Sequence, residues 1–272
     1  MCLILCGNGC LMVRTQWAFS FKEILVVIQN RSKAGWFAVL FFVTSGLYAA
    51  NSSQEVTSKP SCLERSGQDA QEPYRKAGIG ERELLARLVY AEGISTNFAG
   101  DAECGAWGET IFTAIAWGVM NRVRLAESQP RFRSAFGTGI QGVIFKKRQF
   151  NPAVSTRSPF SKLMLCPSSD QRFVNLWPLA VAAVRAPLDE PAANPFLFSA
   201  AEKSSGISRV TYFYYPKSVQ ATKDPPSWAD PKASGTRFVL DVTIAGQRVS
   251  NSCIHFFRGE YNQKNPSRKI AF

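Results

Sequence analysis

The chain is 272 residues long, enough for one sizeable core or two small ones, and its 46% of hydrophobic residues excludes a wholly disordered polymer. Its formal charge of +12 at pH 7 implies an anionic partner, whether nucleic acid, a lipid surface or the anionic polymer of a bacterial wall. The single histidine argues against the two- or three-histidine zinc sites of hydrolytic metalloenzymes, and no phosphate loop or dinucleotide fingerprint occurs, so neither a metal nor a cofactor is expected.

In chain order, Arg31 and Lys33 precede an uncharged apolar run from Ala34 to Tyr48, and the small pair Ala49 and Ala50 follows. A basic region, an apolar stretch and a small-residue exit make the pattern of a secretory signal. The run is shorter than the roughly 18 to 20 apolar residues that span a bilayer. Cleavage is therefore expected, with no stable membrane span afterwards, and the mature chain is expected in the periplasm, outside the cell or in the cell wall. Residues 1–50 are thus read as an N-terminal extension and signal peptide. The part ahead of the signal, with Cys2, Cys6 and Cys10, is longer than a signal needs, as expected if translation starts further along.

The remainder stays basic and keeps Cys62, Cys104, Cys166 and Cys253, an even set in a chain bound for an oxidising compartment. Two disulfides are expected, and three pairings are open. Residues 51–78, rich in Ser, Gln, Lys and Pro, have the composition of a flexible linker, which places the folded domain at 79–272.

From Glu81 the spacing predicts a helix. Leu84, Leu85, Leu88 and Val89 share one face, and Arg82, Glu83 and Arg87 take the other. Glu92 follows Leu88 by four residues and Leu85 by seven, so its carboxyl group falls on the apolar stripe just before Gly93. A second helix is predicted from about Glu109 to Arg124, apolar on all sides between Ile111 and Met120 except at Thr113. A third is predicted from about Asp170 to Arg185, with Phe173, Val174, Trp177, Val181 and Val184 inward and Pro178 starting or kinking it.

After Ser208 the period changes to two. Val210, Tyr212 and Tyr214 alternate with Thr211, Phe213 and Tyr215, and Phe238, Leu240, Val242 and Ile244 repeat the pattern before a turn at Gly246. Cys253 to Phe257 is a further strand candidate. The expected fold class is α+β, an α-rich domain with a small C-terminal antiparallel β-sheet.

A carboxyl group on an apolar helix face resists ionisation, because desolvation disfavours its charged form. It can then carry a proton near neutral pH and deliver it to a poor leaving group such as a glycosidic oxygen. A second carboxylate would set the stereochemical course; Asp101, Glu103 and Glu109 are the nearby options, and none shares an evident face with Glu92. A lone acid/base is therefore expected.

Five stretches in order carry a resemblance: "LLARLVYAE" (Leu84 to Glu92), "GVMNRV" (Gly118 to Val123), "GVIFKKRQFNP" (Gly142 to Pro152), "AVAAVRAP" (Ala180 to Pro187) and "YFYYPK" (Tyr212 to Lys217). Together they resemble the spore-cortex-lytic, SleB-type family of cell-wall hydrolases. The resemblance implies a lysozyme-like fold and cleavage of peptidoglycan glycan strands between N-acetylmuramic acid and N-acetylglucosamine. It makes Glu92 the catalytic acid/base and Gln149, Phe150, Tyr212 and Tyr214 substrate-binding residues. With a single acid, the muramic 6-hydroxyl is the expected nucleophile, giving a 1,6-anhydro end as a lytic transglycosylase does; attack by water, giving an ordinary reducing end as a muramidase does, is the alternative. Asn121 matches the family's buried asparagine, where a structural hydrogen bond is expected. The sequence departs from the family pattern in the longer stretch from Gly93 to Trp107 and at Tyr215, which replaces the usual Asn.

Two rival readings are distinct in class. Cys104-Gly105-Ala106-Trp107 with His255 far downstream is similar to the papain-type cysteine peptidases, although the second Cys of that signature is missing. A non-catalytic wall-binding module would also account for the charge. Nucleic acid is not expected as a partner, since no recognised motif accompanies the basic residues.

Overall fold

The computed structural model describes the backbone of residues 2–7 and 9–14, and backbone with side chains for 60–65, 67–95, 104, 108–217, 225–230, 236–239, 242–244 and 246–259. The apolar run Ala34 to Tyr48, residues 51–59 and Leu240 lie outside the described residues. Cys2–Gly7 and Gly9–Arg14 pair as an antiparallel hairpin within a unit of its own, Met1–Ser52. The second unit, Ser53–Phe272, is helix-rich with a small antiparallel sheet, the α+β class expected. No helix among the described residues is long and apolar enough to cross a membrane.

Two long helices form the centre. Helix α1 (Glu81–Ser95) is buried continuously from Leu84 to Ile94. Helix α2 (Gly108–Ser128) is buried from Thr110 to Val123 except at Thr113, as its all-round apolar sequence requires. Around them pack α3 (Gly139–Ile144), α4 (Pro159–Leu165) and α5 (Trp177–Ala183), and α6 (Ala200–Ser205) leads into the sheet. Pro178 stands in the first turn of α5, where its missing N–H costs nothing, so it starts this helix rather than kinking it. The predicted third helix is accordingly shorter, a 3-10 turn at Val174–Leu176 leading into α5.

Strands β1 (Val210–Tyr214), β2 (Thr236–Val239) and β3 (His255–Gly259) form one antiparallel sheet in the order β1-β3-β2, with the last strand central. A two-residue hairpin, Thr243–Ile244 with Gln247–Arg248, turns at Gly246, whose φ of 80° suits a residue without a side chain. The predicted in-out alternation of β1 is absent: Val210 to Phe213 are all buried, because this strand is covered on both faces. A bulge lies between Val210 and Tyr212, which pair with Arg258 and Phe257, leaving Thr211 outside the ladder.

Three expectations require correction. Arg87 is not on a solvated face; it is fully buried, donating to Glu83, to the carbonyls of Met164 and Leu165, and to Ser61. Residues 60–78 are not a free linker. Cys62 is bonded to Cys166, the Leu63 N–H donates to the Leu165 carbonyl, and Tyr74 is buried beside Phe145. A segment polar in composition is thus held by a disulfide, one aromatic anchor and the acceptors it offers Arg87. Finally, α1 does not stop before Gly93 but continues through it to Ser95. Gly93 permits this because the ring of Phe112 occupies the space a side chain would need.

Candidate active site

Glu92 sits in the last turns of α1 and is nine-tenths buried, with 9% of its surface exposed. Its carboxyl oxygens make no hydrogen bond to a described residue; the Ser95 hydroxyl donates to its backbone carbonyl instead. Burial raises its pKa from the ordinary carboxyl range to about 7, and the guanidinium of Arg122 pulls it back in part. The neutral acid is therefore well populated near neutral pH.

Arg122, one residue after Asn121 on α2, is 4% exposed. Its Nε donates to the Thr211 carbonyl at 2.5 Å and its Nη1 to Gln149 Oε1 at 2.5 Å. The guanidinium lies 4.7 Å from the Phe150 ring centre and 5.5 Å from that of Phe213. A buried cation is tolerable on these terms, because Nε and Nη1 both donate and the guanidinium lies against rings. The bulge at Thr211 is what frees a carbonyl for it. Asn121 has the structural role expected of it: Nδ2 donates to the Val210 carbonyl at 2.8 Å, and its Oδ1 accepts from Asn194 at 2.7 Å. Adjacent residues of α2 thus fix adjacent carbonyls of β1.

Beyond β1, Tyr215 is 8% exposed, and its buried hydroxyl has no hydrogen-bond partner among the described residues. Its pKa is raised well above the usual phenol value, first by burial and then by the negative charge Glu92 can carry. The same side of the strand presents Phe213, whose ring comes close against Gly118 of α2. The opposite side presents Tyr212 and Tyr214, which gather with Trp228 at ring separations of 5.2 and 5.8 Å.

The expected substrate-binding residues therefore divide. Gln149 is half-buried and connects Arg122 to the Ala135 carbonyl, to which its Nε2 donates at 3.2 Å. Phe150 and Tyr212, at 2% and 3% exposed, are core residues that flank Arg122, so neither offers a ring face to a sugar. Tyr214 is partly exposed, on the sheet face opposite Phe213, where its hydroxyl meets His255 Nδ1 at 3.2 Å. Sequence reasoning passed over Arg122 and treated Tyr215 only as a departure from a pattern. A basic residue two positions after the apolar run Ile111 to Met120 was the available signal for Arg122.

The cysteine-histidine pair of the rival reading is differently employed. Cys104 is joined to Cys253 across a sequence separation of 149, so its sulfur is not a free thiolate. Of the nearby carboxylates, Glu109 is exposed in the first turn of α2, and Asp101 and Glu103 lie outside the described residues. Among the described residues no cluster of His, Cys, Asp and Glu could hold a metal ion. Comparison with models of protein families, with curated proteins and with solved structures finds no match for this chain.

Proposed function

We propose that the protein cleaves the β-1,4 bond between N-acetylmuramic acid and N-acetylglucosamine in peptidoglycan strands, with Glu92 as general acid and then base. The observation that carries the reading is a buried carboxyl group, without a described hydrogen-bond partner, whose pKa of about 7 keeps it protonated where an ordinary glutamate is not. The resemblance of "LLARLVYAE" to the SleB-type family leads to the same residue from the motif side.

In the proposed step Glu92 gives its proton to the bridging oxygen as the bond from C1 of muramic acid to that oxygen breaks. The electron pair leaves with the oxygen, which departs as the new hydroxyl of N-acetylglucosamine. The muramic 6-hydroxyl attacks C1 and returns its proton to the Glu92 carboxylate, restoring the acid and leaving a 1,6-anhydro end. Arg122 steadies the carboxylate between the two proton transfers and limits how far burial raises its pKa. The expected N-terminal signal, two disulfides and a net positive charge fit a protein working at an anionic wall.

The test is digestion of purified sacculi by the wild type and by Glu92→Gln, with mass spectrometry of the products. Anhydro-ended muropeptides from the wild type alone support the proposal, and ordinary reducing ends would replace the 6-hydroxyl by water. Equal release by both proteins rejects Glu92 as the acid. Binding without release by either would favour the wall-binding module.

A further inference from the structure

The two disulfides differ in what surrounds them. Cys104 and Cys253 are both buried, at 3% and 4% exposure, so a reductant reaches their sulfurs when the core opens. Cys62 is exposed and its partner Cys166 is half-buried at the C-terminal end of α4. The Ser168 hydroxyl stands 3.4 Å from Cys62 Sγ and 3.6 Å from Cys166 Sγ. Disulfide sulfurs carry no proton, so this hydroxyl is the donor in both contacts, and it stabilises the thiolate that departs when the bond is attacked.

The accessible bond also joins the two stretches that supply acceptors to α1. Ser61, just before Cys62, accepts from Arg87 Nη2 through its carbonyl at 2.7 Å and its hydroxyl at 3.1 Å. Leu165, just before Cys166, offers its carbonyl to Arg87 Nη1 at 2.8 Å and to the Leu63 N–H at 3.0 Å. Pro167, just after Cys166, accepts from the Tyr90 hydroxyl at 2.9 Å. Arg87 and Tyr90 are fully buried in α1, and Glu92 stands two residues beyond Tyr90. Once the link opens, the chain at Ser61 relies on hydrogen bonds to stay over a buried guanidinium, and each departure leaves that charge short of acceptors.

We propose that Cys62–Cys166 is a redox-sensitive clamp on α1: a dithiol opens it while Cys104–Cys253 stays closed, and opening loosens the helix that carries Glu92. A thiolate of the dithiol attacks one sulfur and the S–S bond breaks, its electron pair leaving on the other cysteine, which takes up a proton. The second thiol of the reductant, as thiolate, attacks the mixed disulfide and releases the first cysteine in the same way. Two electrons and two protons thus pass to the protein, and the reductant ends as a disulfide. The clamp acts on the helix whatever bond that helix cleaves, so it stands apart from the glycan-strand reading.

The test treats the full chain with graded dithiothreitol, traps thiols with iodoacetamide, assigns them site by site through peptide mass spectrometry, and follows backbone hydrogen exchange at each step. Cys62 and Cys166 are expected to become alkylated together, at a reductant concentration about tenfold or more below that which opens Cys104 and Cys253. At that step exchange is expected to quicken by about tenfold in residues 60–65 and from Arg87 to Glu92, while α2 keeps its rate. The paired change Cys62→Ser and Cys166→Ser is expected to show the same quickened exchange without reductant and no response to the low concentration. Opening of both disulfides together, or of Cys104–Cys253 first, overturns the proposal. Selective opening that leaves exchange in α1 as it was overturns it too, as does an equal quickening in α2, which would mean a general loss of stability. The wild-type titration decides these outcomes even where the paired variant fails to fold.

Discussion

The ring of Phe112 lies so close to Gly93 that a Cβ built on residue 93 would stand 2.1 Å from Phe112 Cε1. This contact sets how closely α1 and α2 approach beside Glu92. Gly93→Ala must push a fully buried ring aside and is expected to destabilise the fold by about 1 to 3 kcal/mol. Gly118→Ala, where the added carbon would meet Phe213 at 2.8 Å, is expected to cost less, since a smaller shift of that ring relieves it. Thermal melts of the two variants, read with activity below the transition, check the order.

The carboxyl group of Glu92 should leave a mark on stability. Its pKa is raised to about 7 in the folded protein from an ordinary 4.5, so the folded state holds the proton more tightly than the unfolded one. Stability is then full below pH 4.5, falls as the pH rises to about 7, and is level above that, a loss on the order of 3 kcal/mol from this group. Glu92→Gln carries no charge and escapes the loss. Denaturant unfolding of both proteins should show the variant gaining on the wild type from pH 4.5 to 7 and holding the gain at pH 8. Parallel curves would mean that the carboxyl is not desolvated.

The same group sets the pH-rate profile. A general acid with a pKa of about 7 is active below that pH and loses about tenfold in rate for each unit above it. Because Arg122 lowers the pKa, Arg122→Gln is expected to move the descending limb to higher pH, and Arg122→Lys to leave it near the wild-type position. The limb's position, not the height of the profile, is the readout, since either change also disturbs the bond to the Thr211 carbonyl.

Much of this site could be read from one dimension, and what could not has a physical reason. The spacing from Leu85 and Leu88 fixes the direction of Glu92 because a helix maps sequence onto faces directly. The same rule misplaces Arg87, since periodicity assigns a charge to solvent and cannot see that Ser61, Met164 and Leu165 arrive from elsewhere with acceptors. From β1 into the residue after it the pattern is aromatic at four successive positions, 212 to 215, so alternation alone could not say which rings face α2. The bulge that leaves Thr211 to Arg122 depends on the register with β3, more than forty residues on, and has no local signature.

Tyr215 offers a test that separates stability from activity. Its hydroxyl is buried without a described partner, so Tyr215→Phe is expected to leave the melting temperature unchanged or to raise stability by about 1 kcal/mol. The hydroxyl lies within the electrostatic reach of Glu92, so its dipole acts on that carboxylate once it has lost its proton. Turnover in the variant is therefore expected to fall, by a few-fold, on the order of 1 kcal/mol or less. Unchanged turnover would leave the residue a packing element.

Reduction tests the remaining rival. The two disulfides close loops of 104 and 149 residues in sequence separation, and loss of either is expected to cost about 2 to 5 kcal/mol. The pair Cys104→Ser and Cys253→Ser should lower the melting temperature yet retain cleavage of sacculi in the cold, where a cysteine nucleophile at 104 would lose it altogether.

The burial of Arg87 decides where the independent piece of this protein begins. A fragment cut at Ile79, the start that composition alone suggests, would still hold the guanidinium inside but would take away Ser61, and with Cys62 gone would leave Cys166 a solitary thiol. The stretch from Pro60 onward is masonry for the helix that presents Glu92, and any shortened form meant to retain the site has to carry it.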